Sequence, residues 1–255
     1  MPATYHDLHN KHILITGGAG GIGAAVSTAF AAQGCRVSIL DQNAAAGEDL
    51  AARLKKHNED VSFYPIDLTD FDRLIPLLHQ IENAAGPVDV LVNNAGWDPR
   101  YDITAMTWEQ WDSLFKLNVG HYFITCRELI PGMKKNGGGS IIMVTSCNFW
   151  IGSGDLTCYT ATKAAIVGMV RSLAREVGKD MIRVNAIAPG WVMTQRQLRE
   201  RITPEQMKKL REVDQILPIQ LGPEDMAGTF LFLASDQARA ITRQTLAVDA
   251  GYAMT

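Results

Sequence analysis

Short, nearly unbroken apolar runs recur along the chain, separated by longer stretches of helical composition. Ile13-Leu14-Ile15, Arg36–Leu40, Val61–Ile66, Val88–Val92, Ile141–Val144 and Ile182–Ala188 mostly lack the polar alternation of a half-exposed strand, so they read as strands covered on both faces. Thr245–Asp249 reads as a seventh. Between them lie an alanine-rich segment to about Gln33, a polar segment Ala44–His57, and the run Ala161, Ala164, Ala165, Ile166, Val167, all suited to helix. Strands alternating with helices predict a doubly wound α/β sheet. No repeat, low-complexity run or second domain is visible, so residues 1–255 read as one dinucleotide-binding and catalytic domain.

Open α/β sheets bind ligands beyond the carboxyl ends of their strands, so the strand-end loops carry the candidate chemistry. The first strand runs through Thr16 into Gly17-Gly-Ala-Gly-Gly21-Ile22-Gly23, and a helix follows. Glycines there let the backbone turn tightly and approach a pyrophosphate, which lies at the positive end of the helix. Asp41 ends the second strand, where a carboxylate accepts hydrogen bonds from ribose hydroxyls and repels a 2′-phosphate. It predicts NAD rather than NADP. After the third strand comes Asp67-Leu68; Asp67 either contacts the adenine or, with Thr69, caps the next helix. The fourth strand delivers Asn93-Asn94-Ala95-Gly96, small and amide residues that admit a cofactor while satisfying nearby backbone.

Tyr159 and Lys163 are four residues apart and share one helix face. A phenol titrates near pH ~10, and an ammonium held close favours the phenolate. Lowering that value by ~2 to 3 units takes about 3 to 4 kcal/mol. Tyr-x-x-x-Lys alone is frequent by chance; its companions give it weight. Ser146 lies thirteen residues before Tyr159, just past the fifth strand. Cys147 and Cys158 flank the pair, either as redox-sensitive thiols or as inert space-fillers. With Cys35 and Cys126 they show no paired metal spacing, so no metal site is expected, and they suit a reducing compartment.

Composition narrows the class. A chain that is 47% hydrophobic and 20% charged is globular, and a net charge of −3 argues against nucleic-acid or membrane-surface partners. The start has no apolar signal-like region and no run reaches membrane length, so a cytoplasmic location is expected.

Thr16-Gly17-x-x-x-Gly21-x-Gly23, Asn93-Asn94-Ala95-Gly96, Asn118, Ser146, Tyr159-x-x-x-Lys163 and Pro189-Gly190 occur in the order seen in the short-chain dehydrogenase/reductase family, which the chain resembles over almost its whole length. The resemblance implies one parallel seven-stranded sheet, order 3-2-1-4-5-6-7, with helices on both faces, often in a homotetramer. It implies that Tyr159 is the general base, that Lys163 holds the nicotinamide ribose and depresses the Tyr159 pKa, and that Ser146 orients the substrate oxygen. Asn118 would hold a proton-relaying water; read alone it is an ordinary helix polar residue. Asn94, Ala95, Gly96, Pro189, Val192 and Thr194 match cofactor-contacting positions. The charged stretch from Gln195 to Gln215 resembles the family's substrate lid, about 194–216, although a solvated helix pair would look the same. Two departures stand out: Thr242-Arg243 replaces a Thr-Gly, and Asp249-Ala250-Gly251 replaces Asp-Gly-Gly, bearing on local packing or subunit contacts more than on chemistry.

Substrate candidates are the residues around Ser146 and Tyr159. Trp97, Asp98 and Arg100 follow the Asn-Asn-Ala-Gly loop; Asn148, Trp150 and Asp155 lie between Ser146 and Tyr159; Trp191, Gln195 and Arg196 follow Pro-Gly. Indole faces mixed with amides and charges suit a carbohydrate better than a steroid or acyl chain. Pro-Gly-Met-Lys-Lys-x-Gly-Gly-Gly at 131–139 and Pro-Gly-x-Val-x-Thr-x-Arg-Gln at 189–197 resemble the family's bacterial aldose 1-dehydrogenases. That implies hydride transfer from C1 of a pentose or deoxyhexose to NAD, giving an aldonolactone. The alternative is a secondary alcohol of a polyol, sugar acid or hydroxyacyl substrate. The exposed-looking small residues Ala161, Ala164, Ala165 and Gly168 would permit close packing between subunits.

Overall fold

The computed structural model describes residues 3–253. In chain order its first half runs β1 (His12–Thr16), α1 (Gly21–Ala32), β2 (Arg36–Asp41), α2 (Ala44–Lys55), β3 (Val61–Pro65), α3 (Phe71–Ala85), β4 (Val90–Asn93) and α4 (Trp108–Phe115). A π-helical turn, Lys116–Gly120, joins α4 to α5 (His121–Lys135). Then come β5 (Gly139–Val144), the single turn α6 (Asn148–Ile151), α7 (Thr157–Val177), β6 (Ile182–Pro189), α8 (Gln195–Glu200), α9 (Pro204–Lys209), α10 (Pro223–Ala234) and β7 (Thr245–Val248).

All strand pairs are parallel and the order is β3-β2-β1-β4-β5-β6-β7. Side chains alternate between faces along each strand, so one apolar run feeds two cores. Ile13 and Ile15 point to the layer of Val26, Phe30 and Phe230, from α1 and α10. Leu14 points to the layer of Leu74, Leu78, Leu129, Ile166 and Val170, from α3, α5 and α7. This two-sided covering explains why the central strands read as continuous hydrophobic runs. The chain winds outward from β1 through β2 to β3, then crosses back to β4 on the other side of β1 and winds the other way, and the crevice at the carboxyl ends of β1 and β4 is where such sheets take ligands.

Several element boundaries shift by one or two residues. The fourth strand starts at Val90 because Asp89 turns its carboxylate back to the His12 N–H at 2.8 Å. The helix after β2 stops at Lys55, short of His57. The last strand stops at Val248, where buried Asp249 accepts the N–H groups of Gly251 and Ala253 at 2.9 and 2.8 Å. The helix after β3 is capped by Asp70, which accepts the Arg73 N–H at 3.2 Å; this corrects the capping alternative for Asp67 and Thr69. Asp67 instead closes its own turn, accepting the Thr69 N–H and hydroxyl, both at 2.8 Å. Among the described residues no helix is long and apolar enough to cross a membrane.

Candidate active site

At Gly17 and Gly23 the glycine loop after β1 is packed so tightly that glycine is forced. A side chain on Gly17 would lie 2.8 Å from the Ala95 Cα, and one on Gly23 would run into the Gly17 carbonyl and come within 2.7 Å of Asn94 Nδ2. Gly17 and Gly21 have positive φ, at 63° and 50°. Thr16 closes the floor: its hydroxyl accepts the N–H groups of Asn94 and Ala95 at 3.0 and 3.2 Å, while Asn94 Nδ2 donates to the Thr16 and Gly17 carbonyls at 3.1 and 3.0 Å. Thr194 arrives from the far end of β6, and a side chain on Gly21 would touch its Cγ2 at 3.0 Å. Gly17, Gly21, Ile22, Gly23, Asn94, Ala95 and Thr194 are thus one contiguous surface.

That surface fits a dinucleotide. α1 begins at Gly20 with no side-chain cap, and nothing lies within 4 Å of where a Gly20 side chain would point. With no side-chain cap, its first N–H groups suit an anion. Asp41 stands beside the loop, its carboxylate held by the Ala19 and Asn43 N–H groups at 3.1 and 3.0 Å. Arg36 is at the opposite end of β2, bonded to the Asn10 and Ala85 carbonyls. Asp67 is exposed beside buried Leu68, and Pro189 and Val192 line the end of β6.

Tyr159, Lys163, Ser146 and Asn118 converge on the other side of the crevice. Lys163 is 3% exposed. Its Nζ donates to the Val144 carbonyl at 2.9 Å and lies 5.6 Å from the centre of the Tyr159 ring. Burial lowers the Lys163 pKa to about 8, opposed by the nearby Asp98 carboxylate. Burial also pushes the Tyr159 phenol above its ordinary value; a hydrogen bond from Ser146 and the Arg196 charge pull it back, and Asp98 raises it further. The chain's own groups therefore leave the Tyr159 phenol raised rather than depressed as the spacing to Lys163 suggested, because desolvation of the phenolate is the largest effect on it. A side chain on Gly96 would meet Lys163 Nζ at 3.3 Å and Asn118 Oδ1 at 3.5 Å, so glycine there leaves both side chains room.

Asn118 occupies the π-helical turn and is fully buried. Its amide accepts the Trp97 N–H and donates to the Trp97 carbonyl, both at 2.9 Å, and donates to the Thr162 hydroxyl at 3.1 Å. The side chain is a strut between the loop after β4 and α7. Just beyond it His121, held neutral by burial with a pKa near 3, bonds the Leu117 carbonyl and the Thr16 hydroxyl, the latter at 3.4 Å. Thr162, His121 and Tyr122, whose hydroxyl donates to the Val144 carbonyl at 3.1 Å, escaped sequence reasoning. Polar residues in the otherwise apolar start of α5 were the available signal.

The proposed substrate residues divide. Trp97, Trp191 and Arg196 come together: Arg196 lies over the Trp97 ring, pairs with Asp98, and adjoins Gln197, whose Oε1 accepts the Trp191 indole N–H at 3.0 Å. Gln195 stays outside this cluster and exposed. Successive helical residues turn by about 100°, so Gln195 and Gln197 face nearly opposite ways, and Gln197 is the glutamine that reaches inward. Arg100 remains at the rim, paired with Asp155 at 3.1 Å. Trp150 is 37% exposed and packs on Phe149. Asn148 is buried and turned into its own loop, bonding Thr160 and Ser153 at 2.8 and 2.6 Å. Cys147 and Cys158 are buried thiols whose pKa values burial raises to about 12 and about 11, which favours the inert alternative.

Residues 17–253 match the family model described as enoyl-(acyl carrier protein) reductase. The chain is 38% identical over 248 residues to a probable galactose dehydrogenase of Rhizobium meliloti (strain 1021), covering 97% of this chain and 96% of that protein. It is also 38% identical over 250 residues to a D-xylose 1-dehydrogenase of Caulobacter vibrioides (strain NA1000 / CB15N), covering 98% of each. The solved L-sorbose reductase of Gluconobacter frateurii, complexed with NADPH and L-sorbose, superposes with a TM-score of 0.92 at 27% identity, covering 99% of this chain and 100% of that one. With the sheet order, the glycine loop and the Ser-Tyr-Lys convergence already in place, these matches identify the chain as a member of the short-chain dehydrogenase/reductase family, an oxidoreductase acting on CH–OH groups.

Proposed function

We propose that the protein is an NAD-dependent aldose 1-dehydrogenase in which Tyr159 removes the proton of the anomeric hydroxyl. The observation that carries the sugar reading is the cluster of Trp97, Trp191, Arg196 and Gln197 beside Tyr159, indole faces with convergent polar groups. The names of the galactose and D-xylose dehydrogenases support it. Ser146, which acts on the Tyr159 phenol, holds the substrate oxygen, and Lys163, 5.6 Å from the Tyr159 ring, binds the ribose of the cofactor and favours the phenolate by its charge. Asn118 keeps the Trp97 loop against the catalytic pair and holds a water that relays the proton outward. Bound oxidised nicotinamide supplies the hydride acceptor and a positive charge that further favours phenolate. Loss of a proton from oxygen and a hydride from C1 leaves an aldonolactone.

The pyrophosphate rests on the glycine loop at the start of α1, and Asp41, Asp67, Leu68, Gly96, Pro189 and Val192 border the rest of the cofactor. Asp41 selects NAD by repelling a 2′-phosphate. The segment at about 194–216, containing α8 and α9, is the lid over one domain spanning 1–255. Ala164 and Gly168 are exposed along α7, a small-residue face suited to pairing with another subunit in a cytoplasmic homotetramer.

The test is the initial rate of reduced nicotinamide formation with NAD and with NADP across aldoses, polyols, sugar acids and secondary alcohols. Aldose turnover with NAD preferred is the expected result. Turnover of secondary alcohols alone would remove the anomeric chemistry, and an NADP preference would remove the role of Asp41. Because burial raises the phenol, oxidation should accelerate as pH rises from neutral toward alkaline values.

A further inference from the structure

The loop after β4 and the first turn of α8 share an ion pair that the tetrad does not use. Arg196 lies 4.4 Å from the centre of the Trp97 ring and pairs with Asp98 Oδ1. Asp98 Oδ2 accepts Gln197 Nε2 at 3.3 Å. Arg196 Nη1 is buried and has no partner among the described residues. A guanidinium N–H shut away from water without an acceptor is costly, and a ligand oxygen relieves that cost. The cluster is tied to the catalytic centre, since Asn118 bonds both backbone polar groups of Trp97, and the charges of Asp98 and Arg196 both act on the Tyr159 phenol.

The pairing fixes which oxygen the free N–H can accept. One edge of the guanidinium already carries a carboxylate, so its positive charge is neutralised where a ligand would meet it. A second carboxylate would find little attraction from Arg196 and repulsion from Asp98. A hydroxyl meets neither obstacle: it accepts the Nη1 hydrogen bond while its C–H face packs on indole. We propose that Asp98 is a specificity-determining residue which, by occupying Arg196, restricts the site to neutral polyhydroxyl substrates and excludes sugars bearing a carboxylate. The proposal rests on the aldose reading and adds the charge class of the sugar.

Galactose and galacturonate, or glucose and glucuronate, isolate this effect, because each pair shares the anomeric centre and differs in a C6 carboxylate. Rates with saturating NAD are compared for the wild type, Asp98→Asn, Arg196→Gln and the double variant. The wild type should favour the neutral sugar at least 100-fold in kcat/KM. Asp98→Asn should shrink that ratio at least tenfold by raising the uronate's kcat/KM, and the gain should vanish in the double variant. Arg196→Gln alone should raise KM for the neutral sugar about tenfold. Equal losses on both sugars in Asp98→Asn would show Asp98 only supporting the lid and would overturn the proposal, as would a wild type that accepts the uronate equally well. Aldose oxidation with an unchanged ratio defeats the charge filter alone; no oxidation of any aldose defeats the aldose reading and the filter together.

Discussion

The floor and the roof of the crevice are built on different principles. The floor is backbone against backbone: Gly17 on Ala95, Gly23 on the Gly17 carbonyl, Thr16 and Asn94 stitching the ends of β1 and β4. Gly17 and Gly23 cannot be enlarged there, so those residue types are forced. The roof is side chain against side chain: Arg196 on Trp97, Asp98 between Arg196 and Gln197, Gln197 on Trp191. Each of those contacts could be replaced by another of similar reach. A fixed floor suits the pyrophosphate that nicotinamide dinucleotides share, and an adjustable roof suits substrates that differ among relatives, such as those named for galactose and xylose.

The sharpest way to break this contrast is at the point where floor and roof meet. Tyr159→Phe should lower kcat by about a thousandfold while leaving cofactor affinity unchanged, measured by steady-state rates and fluorescence titration of reduced nicotinamide. In the floor, Gly23→Ala should cost about 3 kcal/mol of stability and weaken cofactor binding, because the added carbon collides with the Gly17 carbonyl. Gln197→Ala in the roof should change stability by no more than about 0.5 kcal/mol and act on KM; denaturant titration of the two variants compares them directly.

Lys163 belongs to the floor's chemistry but opposes its stability. Its folded pKa is about 8 against an ordinary 10.5, so the unfolded chain binds the extra proton between those values. Stability from this group therefore rises with pH across that window, and below pH 8 the full penalty of about 3 kcal/mol applies. Lys163→Met should lose activity yet melt higher at pH 7, with the gain fading by about pH 10.5. A further effect lies outside both regions. Ala250 holds φ of 57°, where a side chain is strained. Ala250→Gly should stabilise by about 0.5 to 1 kcal/mol in thermal melts.

The sheet and the floor were legible because steric necessity writes itself as residue type: apolar runs for strands covered on both sides, glycines where a Cβ collides, Tyr and Lys one helical turn apart. Even the family departures point to geometry, since Arg243 and Ala250 both stand at positive φ, 66° and 57°, where glycine is the unstrained choice. The roof was less legible. Choosing Gln197 over Gln195 required the rotation of α8, which its six residues do not announce. Asn118 was visible only through the family, because a polar residue in a helix carries no mark of the loop it clamps. The raised Tyr159 phenol was hidden as well: spacing shows a nearby ammonium, whereas the desolvation that raises the phenol depends on how completely the fold buries the ring.

The most direct test of the proposed chemistry is the kinetic isotope effect for an aldose carrying deuterium at C1, with the product identified as it forms. Transfer of the label to the reduced nicotinamide, a primary isotope effect on kcat/KM and release of the aldonolactone are the predicted results. Retention of deuterium at C1 while nicotinamide is reduced would place the hydride at another carbon and contradict anomeric oxidation by Tyr159.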